Sequence, residues 1–282
     1  MSSKRLTFSI PTNAGDGDDE LKILLHQATM EDSNQGENET NTGFVMWPSA
    51  VMLSHHLSRN PHILRGDGTP EGDIMELGAG CGLVGLTAAA LLQNEDPDND
   101  DKVIFTDYNP AVLQNLKTNI LLNEFNVEHE VFGLDWFDQQ PDAGEAEAVE
   151  KEENTWVDTE GTSHGQCRLI LGADLLVCSN DADLVASTID STLMKGGNAF
   201  ILGPSADARF GVSDFPDSCR SLGLKVIVDE NILEAKENAG GSDSSYQQLM
   251  NELELSGHNQ RASTFGSDFT MFTITKPITS SC

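Results

Sequence analysis

From Asp73 to Gly85 the chain reads Asp-Ile-Met-Glu76-Leu-Gly78-Ala-Gly80-Cys-Gly82-Leu-Val-Gly85, an acid followed by glycines at alternate positions. Glycine tolerates positive φ and lets a ligand approach the backbone, while the first N–H groups of a following helix have no intrahelical partner. A short apolar run before the glycines and an alanine-rich run to Leu92 after them read as strand, turn and helix. Such a loop can hold a nucleotide-like cofactor by its main chain. Two further acids end β-prone runs: Asp107 closes 102–107 and Asp174 closes 169–174. Ligands gather at such strand ends in open α/β sheets.

The loop alone leaves two cofactors open. Gly80-x-Gly82-x-x-Gly85 fits the dinucleotide pattern, and Glu76-x-Gly78-x-Gly80-x-Gly82 fits the first motif of S-adenosylmethionine methyltransferases. Asp107 stands 22 residues beyond Gly85, where a carboxylate can accept from ribose hydroxyls; alternatively it caps the helix that begins near Pro110. Trp47, just before a helix that Pro48 suits at its first turn, is either a core anchor or a lid on an aromatic or sulfonium ligand. Asp135-Trp136 follows a third strand candidate, in the right place for a residue that meets an adenine. His55 and His56 point different ways on their helix and read as surface or packing residues. A dinucleotide oxidoreductase is disfavoured by the lack of a second substrate domain and of a Tyr-x-x-x-Lys or His/Asp pair.

Elements that could position these groups follow in order. Residues 6–10 and 21–25 suggest a hairpin ahead of the main sheet, and 31–42 a loose loop. Strands are expected at 73–77, 102–107, 127–134, 169–177, 198–202, 224–228 and 269–275, the last alternating cleanly before Pro277, with helices at 48–57, 83–92, 109–123, 181–194 and 215–221. Two acidic or polar stretches, 138–166 and 235–263, read as insertions, the first of them mobile and dispensable. The expected organisation is a single domain over 1–277, with hairpin and loop in 1–42 and the catalytic core in 43–277.

The 282 residues carry a formal net charge of −30, concentrated before Gly43, in 95–101, in 138–160 and after Asp229. Solvated loops account for it; attraction of basic proteins is the functional alternative, and direct binding to nucleic acid is disfavoured. Cysteines at 81, 167, 178, 219 and 282 have no Cys-x-x-Cys spacing, which argues for a reducing compartment and no zinc site. No apolar run reaches the roughly 18 residues of a membrane span, so the cytoplasm, or also the nucleus, is the expected compartment; a monomer is expected as well.

Five segments, Gly43-Phe-Val-Met-Trp-Pro-Ser-Ala, Glu76-Leu-Gly-Ala-Gly-Cys-Gly-Leu-Val-Gly, Phe105-Thr-Asp-Tyr-Asn-Pro, Leu134-Asp-Trp and Ile170-Leu-Gly-Ala-Asp, occur in this order. In them the chain resembles the family-16 methyltransferases, seven-strand protein lysine methyltransferases similar to the enzymes acting on valosin-containing protein, elongation factors and calmodulin. The resemblance implies a class I, Rossmann-like α/β fold, with helices on both faces of a seven-stranded sheet and the last strand antiparallel. It implies S-adenosylmethionine as cofactor and a protein substrate, and the net negative charge would favour a basic one. Glu76 belongs to the motif; Gly78 and Gly80 would line the methionine part, Asp107 would hold the ribose, Trp136 would contact the adenine, and Trp47 and Ala173 would close the pocket. Asp174 matches the first position of an acid-x-x-aromatic motif and would capture and orient the substrate amine. At the motif's last position Val177 replaces the usual aromatic. Histidine or a small amine as acceptor, or a cofactor-binding interaction protein with little catalysis, are the alternatives.

Overall fold

The computed structural model describes residues 3–11, 20–28, 42–65, 68–95, 101–139, 154–206, 209–230 and 269–278. Strands β1 (Ser3–Pro11) and β2 (Glu20–Ala28) form the expected antiparallel hairpin. Then come α1 (Pro48–Arg59), α2 (His62–Arg65), β3 (Ile74–Leu77), α3 (Leu83–Glu95), β4 (Val103–Asp107), α4 (Pro110–Leu121) and β5 (His129–Gly133). A small hairpin of β6 (Thr155–Val157) and β7 (Ser163–Gly165) precedes β8 (Cys167–Ala173), α5 (Ser179–Thr192), β9 (Leu193–Pro204), α6 (Phe210–Ser221), β10 (Lys225–Asp229) and β11 (Phe269–Thr275).

The seven-stranded sheet has the order β10-β11-β9-β8-β3-β4-β5. Its strands are parallel except β11, which runs antiparallel to both neighbours. After β5 the chain returns to the other side of β3, so β3 and β8 flank the point where strand order reverses, the place where open α/β sheets bind ligands. One face is covered by α1, α3 and α4, the other by α5 and α6.

Helix α3 is apolar on all sides, from Leu83 through Leu92, and a helix of that kind must be buried all round. The hairpin meets that need: Phe8, Ile10, Ile23 and Leu25 join α3 in one core. Asn115 and Asn119 of α4, with Asn123 just past its C-terminal end, are spaced i, i+4, i+8 and hold the outer edge of β2. Leu24 donates its N–H to Asn123 Oδ1 (2.9 Å) and accepts from Asn123 Nδ2 (2.8 Å). His26 donates to Asn119 Oδ1 (2.7 Å) and accepts from Asn115 and Asn119 Nδ2 (3.2 Å each). Asn119 Nδ2 also donates to the carbonyl of Cys81 in the glycine loop (2.9 Å), tying hairpin, helix and loop through one buried side chain.

The structure redraws three expectations. The stretch 138–166 is not wholly an exposed insertion, because its second part is core. Trp156 is 1% exposed, stacks on His164 at 4.5 Å, meets Phe132 edge-on and donates Nε1–H to the Gly165 carbonyl. Asp158 closes the hairpin turn by accepting from the N–H groups of Glu160 and Thr162 (2.9 Å each). Only 140–153 of that insertion lies outside the described residues, as does the second insertion, 235–263. Met194 is in β9 and not in a helix, since Leu193 already pairs with Cys167. Helix α6 starts at Phe210, five residues before the expected 215, and carries Pro216 inside it.

Candidate functional site

A cleft of about 560 Å³ opens at the carboxyl ends of β3, β4 and β8, within the range of small-ligand pockets. Trp47, Glu76, Gly78, Gly80, Asp107, Trp136, Ala173 and Asp174 all line it, so these eight candidate residues converge on one cavity. Val177, Tyr108 and Phe137 stand at it as well, the last two strongly exposed.

Gly78 and Gly80 have φ of +58° and +54°, a region that costs other residues roughly 1–2 kcal/mol. A Cβ at Gly78 would lie 2.8 Å from Leu175 Cδ2 and 3.4 Å from Trp136 Cζ2; one at Gly80 would lie 3.1 Å from the Gly43 carbonyl oxygen. The loop thus needs glycine for backbone shape and for close approach at once. Cys81, next after Gly80, is a packing residue: burial pushes its thiol up to about 12.

Asp107 is 8% exposed and faces the loop, accepting from Gly80 N–H at Oδ2 (3.2 Å) and from Asn109 N–H at Oδ1 (3.0 Å). Burial raises its carboxyl above the ordinary range, and the N–H groups of Asn109, Gly80 and Tyr108 pull it back. It is not the cap of α4. Asn109 has that position, its Oδ1 accepting from Ala111 and Val112 N–H, with Pro110 at the first helical turn. Asp107 is thereby left at the cleft.

Glu76, which lines the cleft, also braces the glycine loop. Its Oε2 accepts from Gly85 N–H (2.9 Å) at the start of α3, and Val84 N–H also bonds to the carboxyl. Burial pushes this carboxyl up to about 8; the two N–H groups lower it and the nearby charge of Asp107 raises it. A dinucleotide pyrophosphate needs those same N–H groups, and here the chain's own carboxyl has them. A Cβ at Gly85 would lie 2.6 Å from that carboxyl oxygen, so the third glycine of the apparent dinucleotide pattern serves internal packing.

At the far end of the cleft, Asp174 follows β8 with φ +57°, unusual for a non-glycine residue and typical of strained functional positions. Its N–H donates to the Leu202 carbonyl (2.9 Å), fixing it to β9. Its side chain is 3% exposed and accepts at Oδ1 from Arg209 Nε (3.3 Å). The Arg209 guanidinium lies 5.8 Å from the ring centroid of Trp47. Trp47 in turn stands at the start of α1 and donates Nε1–H to the Thr42 carbonyl (3.1 Å). Asp181 Oδ2 accepts from the N–H groups of Val177 (2.9 Å) and Cys178 (2.7 Å), which pins the loop after Asp174 and leaves the Val177 side chain 53% exposed. Arg209 was not foreseen, for no motif surrounds it. His55 is buried in α1 and His56 half-buried.

A family model described as Lysine methyltransferase matches residues 27–151. A bovine (Bos taurus) protein-lysine N-methyltransferase, EEF2KMT, is 28% identical over 191 residues, covering 64% of this chain and 49% of that protein. The Arabidopsis thaliana calmodulin-lysine N-methyltransferase is 36% identical over 87 residues, covering 30% and 25%. The chain thus spans about half or less of the length of these relatives. Human N-acetylserotonin methyltransferase, solved in complex with SAM, superposes with a TM-score of 0.42 at 13% identity over 81% of this chain and 55% of that one. The chain resembles the lysine methyltransferases. Its strand order, with one antiparallel strand inserted beside the edge, is that of a class I S-adenosylmethionine-dependent methyltransferase, and S-adenosylmethionine is the cofactor that the glycine cradle and buried acids fit.

Proposed function

We propose that this protein transfers a methyl group from S-adenosylmethionine to the side-chain amine of a lysine in a protein substrate. The observation that carries the reading is that Asp174, fixed at the end of β8, opens into the same cleft as Gly78, Gly80 and Asp107. The names of the relatives support lysine as the acceptor.

In this reading Gly78 and Gly80 admit the methionine part of the cofactor, Asp107 accepts from the ribose, Trp136 flanks the adenine, and Trp47 and Ala173 close the pocket. Glu76 holds the loop in shape. Bound S-adenosylmethionine supplies a methyl group already activated by its sulfonium, so the chain's own work is to align, to orient and to exclude water. The acceptor amine must arrive neutral, which for a lysine of ordinary pKa costs on the order of 4–5 kcal/mol at pH 7. Its proton leaves to water before transfer, since a carboxylate such as Asp174 favours the charged form and is no strong base. Asp174 captures the ammonium and then accepts a hydrogen bond from the neutral amine.

Incubating the pure chain with labelled S-adenosylmethionine and a lysate from its own organism should label protein bands, and mass spectrometry should place the methyl group on lysine. Asp174→Asn should leave cofactor affinity, by calorimetry, within a few fold while methyl transfer falls on the order of 100-fold. Label on histidine or on small amines would reassign the acceptor. Cofactor binding with no label would favour an interaction protein, a reading that the missing aromatic at 177 supports.

A further inference from the structure

At the acceptor end of the cleft, the lining residues Trp47 and Asp174 both meet a cation of the chain's own. Arg209 lies between the Trp47 ring and the Asp174 carboxylate, 5.8 Å from the one centroid and 3.3 Å from the nearer oxygen of the other. An aromatic face opposite a carboxylate is the surrounding that an alkylammonium side chain requires. A nearly buried carboxylate is costly to leave without a counter-charge, so some cation is needed beside Asp174 in the absence of substrate. The guanidinium sits on a long rotatable stem and can leave by rotation while the backbone of α6 stays in place. Val177, more than half exposed, offers no π face.

We propose that the space between Trp47 and Asp174 is the acceptor's cation subsite and that Arg209 occupies it until a substrate lysine displaces it. Trp47 then provides the aromatic wall that the resemblance places at 177. This rests on reading Asp174 as the acceptor end of the cleft. Displacement sets a threshold. A free amine brings only its own charge and does not evict Arg209. A lysine on a protein brings further contacts, for which the exposed Tyr108, Phe137 and Phe210 beside the cleft and α6 are available. Arg209 is thus a specificity residue that rejects small amines.

The test uses n-butylammonium chloride as a probe of the lysine stem, titrated calorimetrically into the whole chain at constant ionic strength, with and without S-adenosylhomocysteine. Arg209→Ala should bind the probe at least tenfold more tightly than the unsubstituted protein. The gain should vanish when Asp174→Asn is added and fall at least threefold with Trp47→Leu, while Val177→Ala leaves it unchanged. Circular dichroism checks the fold, and Arg209→Gln, which keeps most of the stem, serves if the alanine variant is unstable. No gain in either variant, or a gain that survives Asp174→Asn, overturns the subsite. Probe binding as described without methyl transfer would leave the subsite standing and sink the enzymatic reading; transfer to protein lysine with no gain would do the reverse.

Discussion

The two ends of the cleft are built by opposite means. At the cofactor end, Glu76, Gly78, Gly80 and Asp107 come from two adjacent parallel strands and one loop, and they hold one another through main-chain N–H groups. At the acceptor end, Trp47, Asp174 and Arg209 come from three distant segments and meet through charge and a ring face. Hydrogen bonds to backbone fix a shape within narrow limits, whereas an ion pair under a ring can be exchanged for another cation. The first suits a ligand that is always the same, and the second a ligand that must be exchanged or refused.

Substitutions should therefore separate the ends. The largest effect belongs to Glu76, whose folded state keeps a proton that the unfolded chain gives up. Its stabilising contribution is complete below the ordinary value of 4.5 and is lost as pH rises from there through about 8, a swing of order 5 kcal/mol at about 1.4 kcal/mol per unit. Denaturant titrations of the protein and of Glu76→Gln between pH 4 and 9 should show a difference that changes with pH in this sense, and a flat difference would mean that the carboxyl is ionised throughout. Next, Gly78→Ala adds a methyl group against Leu175 at positive φ, and should lower stability and cofactor affinity by about 2–4 kcal/mol together, read by thermal melting and calorimetry. Asp107→Ala should weaken cofactor binding by about 1.5–3 kcal/mol with the fold kept, because Asn109 still caps α4; unchanged affinity would take Asp107 out of the site. Smallest is Val177→Tyr at the exposed acceptor rim, expected to change n-butylammonium binding by about 0.5–1 kcal/mol and cofactor binding not at all. A larger effect on the cofactor than on the amine would erase the division between the ends.

The same division decided what could be read in advance. The cofactor end is contiguous, so its strand, glycines and acid appear in the sequence in their working order. Arg209 lies 35 residues from its partner Asp174 and sits in no pattern, so nothing local announced it. Asn115, Asn119 and Asn123 have helical spacing, but on sequence grounds that spacing describes an ordinary solvated face. Trp156 was lost by averaging: one large aromatic among acids does not lift the apolar content of 138–166, although burying it beside Phe132 and His164 is enough to anchor the small hairpin. The sheet itself was legible because its inner strands are almost continuous apolar runs, as buried parallel strands must be.

The asparagine row that runs along α4 and past its end has a bearing beyond the fold. A two-stranded hairpin ends in an open edge, and an open edge is a template on which another chain can add a strand. Here the outward backbone groups of Leu24 and His26 are each already taken by an amide side chain, so that stretch of edge has no donor or acceptor left to offer. The asparagine row acts as a counterfeit strand, and protection from self-association comes from within the chain itself. Replacing Asn119 and Asn123 by leucine would restore the template while keeping the bulk, and the sign of that loss would be oligomers whose formation rises with protein concentration.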